Sequence, residues 1–274
     1  MVKTSILVFD SRNELVDFLR RKLQPTKVGE IEFQSLENYP ARRILFTAEH
    51  PKVNHFPELE AWVGEKDTDL LAKLAALHLR SAFLVSWIPR HEADAARDPA
   101  QLGKGLRLWL KTRNGKTIFV PIHRNPAYFG KLVFFHKKIQ ELKPRILVSI
   151  HGTHRSRKFD LLLGFGANYE GIGGKKAALE FKLKFLDYLD KVFSELGLRE
   201  DFKVGVGKLR FAGGVNYVLD KHVVEFNKSS GEKRIGVQAE FNWKIRGEDL
   251  KYSQVVVQAL GEFLLQNFNK PYKI

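Results

Sequence analysis

Stretches in which apolar residues recur every three to four positions alternate along this chain with short, unbroken apolar runs. The first pattern predicts amphipathic helices, the second strands buried on both faces. Helical spacing runs from Ser11 to Lys22, with Ser11 as N-cap and Leu15, Val16, Phe18 and Leu19 inward. It returns at Leu70–Leu79, Pro126–Leu142, 175–196 and Leu250–Phe268. Strands are predicted at Ile6–Phe9, 43–48, Ser81–Ile88, Phe159–Phe165, Val204–Val206, Val223–Phe226 and Ile235–Phe241. Asn114-Gly115 suits a type I′ turn, which makes Leu106–Leu110 and Thr117–Ile122 a hairpin. Residues 25–39 read as an irregular or weakly extended connection, and Pro51–Asp67 as a loop with two prolines. There is no repeat and no low-complexity linker. The expectation is a single three-layer α/β domain over residues 1–274, with a mixed, mostly parallel sheet. Within it, residues 1–40 stand as an N-terminal strand–helix extension whose role the pattern leaves undefined.

Two of the buried-looking runs end on histidine: Arg43-Ile44-Leu45-Phe46-Thr47-Ala48-Glu49-His50 and Arg145-Ile146-Leu147-Val148-Ser149-Ile150-His151-Gly152. In parallel sheets ligands collect at the carboxyl ends of the strands. Two imidazoles delivered to one such edge predict a metal-dependent site, the duller reading being that each histidine only bonds to a loop. The chain has no cysteine, so any metal must sit on His, Asp or Glu.

Composition adds bounds. Hydrophobic residues make up 44% and charged residues 28%, the balance of an ordinary globular chain. No apolar stretch approaches the roughly 20 residues needed to span a bilayer. The start, Met1 to Asp10, is too short and polar-interrupted for a signal peptide, so a cytoplasmic setting without a membrane partner is expected. The formal charge of +15 fits a nucleic-acid binder, a solvated lysine-rich surface, or a field that draws in anionic substrates. The cations are spread along the length without the aromatic interleaving of an RNA-binding module, which favours the latter two.

The loops after the strands hold polar residues in quantity. Asp67-Thr68-Asp69 precedes a helix, Arg90 to Asp98 follows the 81–88 run, and Arg155 and Arg157 follow His151. A catalytic zinc takes three nitrogen or oxygen ligands and an open position, with a further carboxylate as general base. Asp69 suits either a third ligand or a helix cap. Glu240 lies inside an otherwise apolar strand, where a carboxylate is costly unless it serves a site. Asp94 and Arg97 fit a surface ion pair as well as a substrate contact, and guanidinium forks such as those of Arg155 and Arg157 suit a substrate carboxylate.

The order of these residues is similar to a known pattern. Glu49-His50 with Asn54 and Phe56-Pro57-Glu58 resembles a signature of the N-formylglutamate amidohydrolase-like family. Asp67-Thr68-Asp69, the stretch Arg90-Asp94-Arg97-Asp98-Pro99, Ile150-His151-Gly152, Gly213-Gly214 and Gln238-Ala239-Glu240-Phe241-Asn242 resemble its later segments, in order over roughly 43–245. Ala96 replaces an asparagine of that pattern, and Gly152 a serine. The resemblance implies a zinc-carboxypeptidase-like, zinc-exopeptidase-like fold and hydrolysis of an amide on a small acidic molecule. On this reading His50 and His151 bind zinc, with Asp69 as preferred third ligand and Asp67 or Glu49 as alternatives. Glu240 is the general base, and Arg97, Asp94, Arg155, Arg157 and Asn54 surround the substrate. A metallopeptidase acting on an acidic residue and a nucleic-acid-binding protein on a hydrolase scaffold are the competing expectations. Acyl group and oligomeric state stay open.

Overall fold

A computed structural model describes residues 6–37, 39–51, 54–56, 61–63, 65–105, 107–111, 117–153, 158–198, 201–207, 216–248 and 250–268. Among the described residues, twelve strands run β1 (Thr26–Val28), β2 (Ile31–Ser35), β3 (Ile44–Ala48), β4 (Asn54–Phe56), β5 (Ala61–Val63), β6 (Ala82–Ser86), β7 (Arg107–Lys111), β8 (Thr117–Pro121), β9 (Ile146–Thr153), β10 (Leu161–Gly164), β11 (Val204–Val206) and β12 (Ile235–Asn242). The long helices are α1 (Arg12–Lys22), α3 (Thr68–His78), α4 (Pro126–Leu142), α5 (Lys175–Leu196) and α8 (Leu250–Phe268), with a short α2 (Tyr39–Arg42) between β2 and β3. From Tyr217 a helical segment winds through α6 (Tyr217–Leu219), a π-turn at Asp220–Glu225 and α7 (Phe226–Ser230).

Eight strands form one mixed sheet in the order β1-β2-β6-β3-β9-β12-β10-β11. Its centre, β6-β3-β9-β12, is parallel throughout, as the α/β alternation predicts. The apolar runs are shared between two helix layers with a period of two. Ile44, Phe46, Ile146, Val148 and Ile150 face one cluster with residues of α1, α3, α5 and α8. Leu45 and Leu147 face the other, with Leu132, Phe135 and Ile139 of α4 and with Val218, Leu219 and Val223.

The helices form largely where spacing places them. Ser11 accepts from the backbone of Glu14 while the Glu14 carboxylate reaches back, a capping box that fixes the start of α1. Asn125 caps α4 ahead of Pro126.

Four expectations differ from the structure. Residues 6–9 do not join the sheet. Their backbone groups are taken instead by buried side chains of α8: Leu7 exchanges bonds with Gln258 (2.9 and 2.7 Å) and Phe9 with Gln254 (2.9 and 3.0 Å). The connection at 25–39 contains the hairpin β1–β2, which extends the sheet edge antiparallel to β6. Val223–Phe226, read as a strand, is helical, because a four-residue apolar run cannot distinguish the two periods. The N-terminal extension is therefore a helix and an edge hairpin rather than a strand and a helix. The loop 51–67 carries β4 and β5, which pair antiparallel. Strands β7 and β8 pair as expected, while the turn at Asn114-Gly115 lies outside the described residues. No helix among the described residues is long and apolar enough to cross a membrane.

Candidate metal centre

The alternation that buries Leu45 and Leu147 puts polar residues on the same face toward the carboxyl ends of these strands. Register pairs Thr47 with Ser149 and Ser149 with Gln238, then His151 with Glu240. Polar side chains placed side by side in a buried layer must satisfy one another. Thr47 Oγ1 and Ser149 Oγ both donate to Glu49 Oε1, each at 2.8 Å. Asn216 Nδ2, at the start of the α6 segment, lies 2.9 Å from Ser149 Oγ and 3.0 Å from His151 Nε2. Glu49 Oε2 stands 3.3 Å from the same nitrogen.

His50 follows β3 and is brought beside His151, with ring centroids 5.4 Å apart. A carboxylate absent from the sequence reading completes the group. The Glu65 amide donates to the His50 carbonyl at 2.6 Å, folding the 51–64 excursion back on itself. Glu65 Oε2 then lies 3.0 Å from His151 Nδ1 and accepts from the Gly152 amide at 3.0 Å. Ligating atoms of His50, Glu65 and His151, all buried, lie within 4.8 Å of one another.

These atoms fit a metal. Tetrahedral coordination at roughly 2.0–2.1 Å separates ligand atoms by about 3.3 Å, close to the His151–Glu65 spacing. His50 carries two buried ring nitrogens without a hydrogen-bond partner. Its Nε2 is 3.1 Å from Asp94 Oδ1, a close contact outside hydrogen-bonding alignment, which leaves Nδ1 unengaged. Imidazole ligands commonly present their other nitrogen to a carboxylate or hydroxyl. Asp94 beside His50, and Glu49 and Ser149 beside His151, hold those places. Asp94 is anchored in turn by the Ala96 amide (2.9 Å), by Arg90 Nε (3.3 Å) and by Arg97 Nε (3.6 Å).

The local field is set by burial against charge pairing. Burial opposes a charge on His151, but the carboxylates of Glu65 and Glu49 override it and lift the imidazole to about 10. Glu65 is held well below the usual carboxylate range, since His151, His50 and Arg90 outweigh its burial. Asp94 is held low against the same penalty by His50 and Arg90. Glu240 moves the other way: burial raises it, and His151 only partly offsets this. Gln238 Nε2 donates to its Oε1 at 2.5 Å.

Arg246, in a π-turn at Lys244–Glu248, closes the cluster from the side. Its guanidinium fills the space that a side chain at residue 152 would need and donates to the Lys66 carbonyl. This gives a packing reason for glycine where the resembling pattern has serine. Arg246 is 5% exposed, and its Nε has no hydrogen-bond partner.

The expected residues divide as follows. His50, His151 and Glu240 come together. Asp69 does not join them: it sits in the first turn of α3, buried, 3.5 Å from Lys73 Nζ, and burial raises its pKa. It does not cap the helix either, since α3 starts at Thr68 with Asp67 at the cap position. Asp67 turns to Arg12 Nε at 2.7 Å, and Glu49 stands behind His151 at 3.3 Å from its Nε2 rather than in the ligand group. Asp94, expected at the substrate, faces His50 instead, and the Arg97 guanidinium is directed to Asp94. Arg155, Arg157 and Gly213-Gly214 lie outside the described residues. Asn54 begins β4, but its side chain lies outside the description. Glu65 carried no periodic signal, because its position depends on a loop returning to the strand it left.

No protein-family model matches the sequence, and no curated protein matches it closely. Solved structures do match the fold. N-formylglutamate amidohydrolase from Ralstonia eutropha JMP134 is 14% identical, with 88% of this chain and 98% of that chain covered at a TM-score of 0.53. A gene product from Agrobacterium tumefaciens is 13% identical over 86% and 91% of the two chains, with a TM-score of 0.49. A metallo-carboxypeptidase from Burkholderia cenocepacia is 10% identical over 92% and 67%, at 0.47. The likeness to the first is a likeness of fold, and it agrees with the resemblance read from the motifs.

Proposed function

We propose that this chain is a zinc-dependent amidohydrolase cleaving the amide of a small acidic N-acyl amino acid, of the N-formylglutamate kind. The observation that carries this reading is the buried His50–Glu65–His151 group, with an unengaged His50 nitrogen and a separate carboxylate, Glu240, in register with His151 on the neighbouring strand. His50, Glu65 and His151 would hold the ion. When bound, zinc supplies Lewis-acid polarisation of the amide carbonyl and a lowered pKa for water. Asp94 and Glu49 orient the two imidazoles from behind.

Glu240 takes the proton of the attacking water and passes it to the leaving amine, a role that a carboxylate raised by burial suits at neutral pH. The support for an acidic substrate is cationic. Arg246 sets a buried guanidinium beside Gly152, and the charge of +15 attracts anions.

The test has two parts. Purified protein should hold close to one zinc per chain and hydrolyse N-acyl glutamates or aspartates faster than their side-chain amides. Glu240→Gln should keep its zinc while kcat falls by roughly 10²–10⁴, the usual worth of general acid–base catalysis. Zinc-loaded protein that cleaves none of these substrates would sink the proposal.

A further inference from the structure

The amino ends of β3, β9 and β12 form the pole of the sheet away from His50 and His151. There a cleft of about 490 Å³ opens, with Arg43, Lys143, Lys221 and Arg234 set against Glu225 and Glu232. Four cations against two carboxylates leave an excess of two positive charges. The strand rise of about 3.3 Å per residue puts this cleft roughly 20 Å from His151.

The local structure holds these cations in place. Arg43 and Lys143 both have left-handed backbones, φ 45° and 47°, which non-glycine residues adopt only at a cost. Arg43 Nε and Nη2 donate to the Lys143 carbonyl at 2.9 and 2.7 Å, stitching the entry of β3 to the end of α4. Lys221 is paired with Glu225 at 2.7 Å.

Arg234 is the telling residue. It is 6% exposed, with its guanidinium carbon 3.2 Å from the centre of the Phe226 ring and Nη1 donating to the His222 carbonyl at 2.9 Å. Its Nε is buried without a hydrogen-bond partner. A buried guanidinium held by a ring and a carbonyl, without a carboxylate among the described residues in salt-bridge contact, is costly, and an anion in the cleft would supply the counter-charge.

We propose that this cleft is a second binding site, separate from the metal centre, for a small phosphate monoester held by Arg43, Lys143 and Arg234. A dianion matches the excess of two charges, and its several acceptor oxygens can engage more than one cation at once. Glu225 and Glu232 interrupt the basic lining, so the cleft lacks the continuous track that a polynucleotide backbone follows.

The experiment is calorimetric titration of the full chain with phenyl phosphate at low salt. Saturable binding is expected, weakened about 10-fold or more in Arg234→Gln and in Lys143→Gln. Lys143 is exposed, so its variant keeps the test valid if Arg234→Gln disturbs folding. His50→Ala should bind as wild type does. The proposal is overturned by an absence of saturable binding or by equal affinity in the wild type and both cleft variants. It is overturned equally by loss of binding in His50→Ala, which would assign the phosphate to the metal centre. Displacement of phenyl phosphate by a single-stranded oligoribonucleotide, with steep salt dependence, would give the cleft to nucleic acid instead.

Discussion

Two pairs of buried histidines lie in this molecule with ring centroids 5.4 Å apart, and they behave in opposite ways. In the His50–His151 pair the rings are tilted by 57° and ringed by Asp94, Glu65 and Glu49. In the His136–His222 pair the rings stack at 17°, with Nδ1 of His136 and Nε2 of His222 3.1 Å apart. Phe135 and Tyr217 present ring edges to His136. Carboxylates lift His151 to about 10, whereas burial pushes His136 down to about 4, and burial and His136 together hold His222 well below its usual value. Burial is common to both pairs. The company of carboxylates decides that His151 welcomes positive charge while His136 and His222 exclude it.

The strongest way to break this contrast is metal binding. His50→Ala, His151→Ala and Glu65→Ala should each strip zinc almost completely, while His136→Ala and His222→Ala should leave the zinc content unchanged. Plasma emission analysis of the purified variants reads the difference. Retention of zinc by Glu65→Ala would remove that residue from the ligand group.

A smaller effect sharpens the role of the supporting carboxylates. Asp94→Asn keeps the shape beside His50 but loses the charge, so zinc affinity should fall about 10- to 100-fold, measured by competition with a chelator. An unchanged affinity would mean that Asp94 serves only the Arg90 and Arg97 contacts.

The second pair answers to acid. His136 has a pKa of about 4 when folded against 6.5 when exposed, so the unfolded chain takes up more protons between these values. The stabilising effect of keeping it neutral is complete above pH 6.5 and is lost as the pH falls toward 4. For one group this amounts to roughly 2 kcal/mol between pH 7.5 and 5. His136→Phe should therefore lose its stability deficit relative to wild type by about that amount over the same range, as urea midpoints would show. A deficit independent of pH would mean that His136 does not titrate in this range.

The smallest effect concerns Asp69. Asp69→Asn should change zinc content by less than the error of measurement, because its carboxylate lies with Lys73 rather than with the histidines. Loss of zinc there would restore Asp69 as a ligand.

Much of the architecture was legible from periodicity. Helix α1 with its Ser11 cap, the helices α4, α5 and α8, and the runs leading to His50 and His151 stand close to where spacing predicts them. Each is long, or strongly patterned, and needs only local chemistry and one buried face. The failures share a different cause. Residues 6–9 are apolar enough for a strand but meet Gln254 and Gln258, some 250 residues away, before they meet an edge. Val223–Phe226 is too short for its pattern to separate helix from strand.

The sequence by itself determined that His50 and His151 end two buried strands, because unbroken apolar runs and side-chain alternation are local patterns, and the resemblance alone set Glu240 beside them. Only the tertiary structure decided which carboxylate completes the group. Asp69, Asp67, Glu49 and Glu65 are similar in type and close in sequence to the histidines or their loops. What separates them is a single backbone bond from Glu65 to His50 and the ion pairs that draw Asp67 to Arg12 and Asp69 to Lys73. Those contacts join segments without shared periodicity, and their energies depend on burial that exists only once the layers have packed.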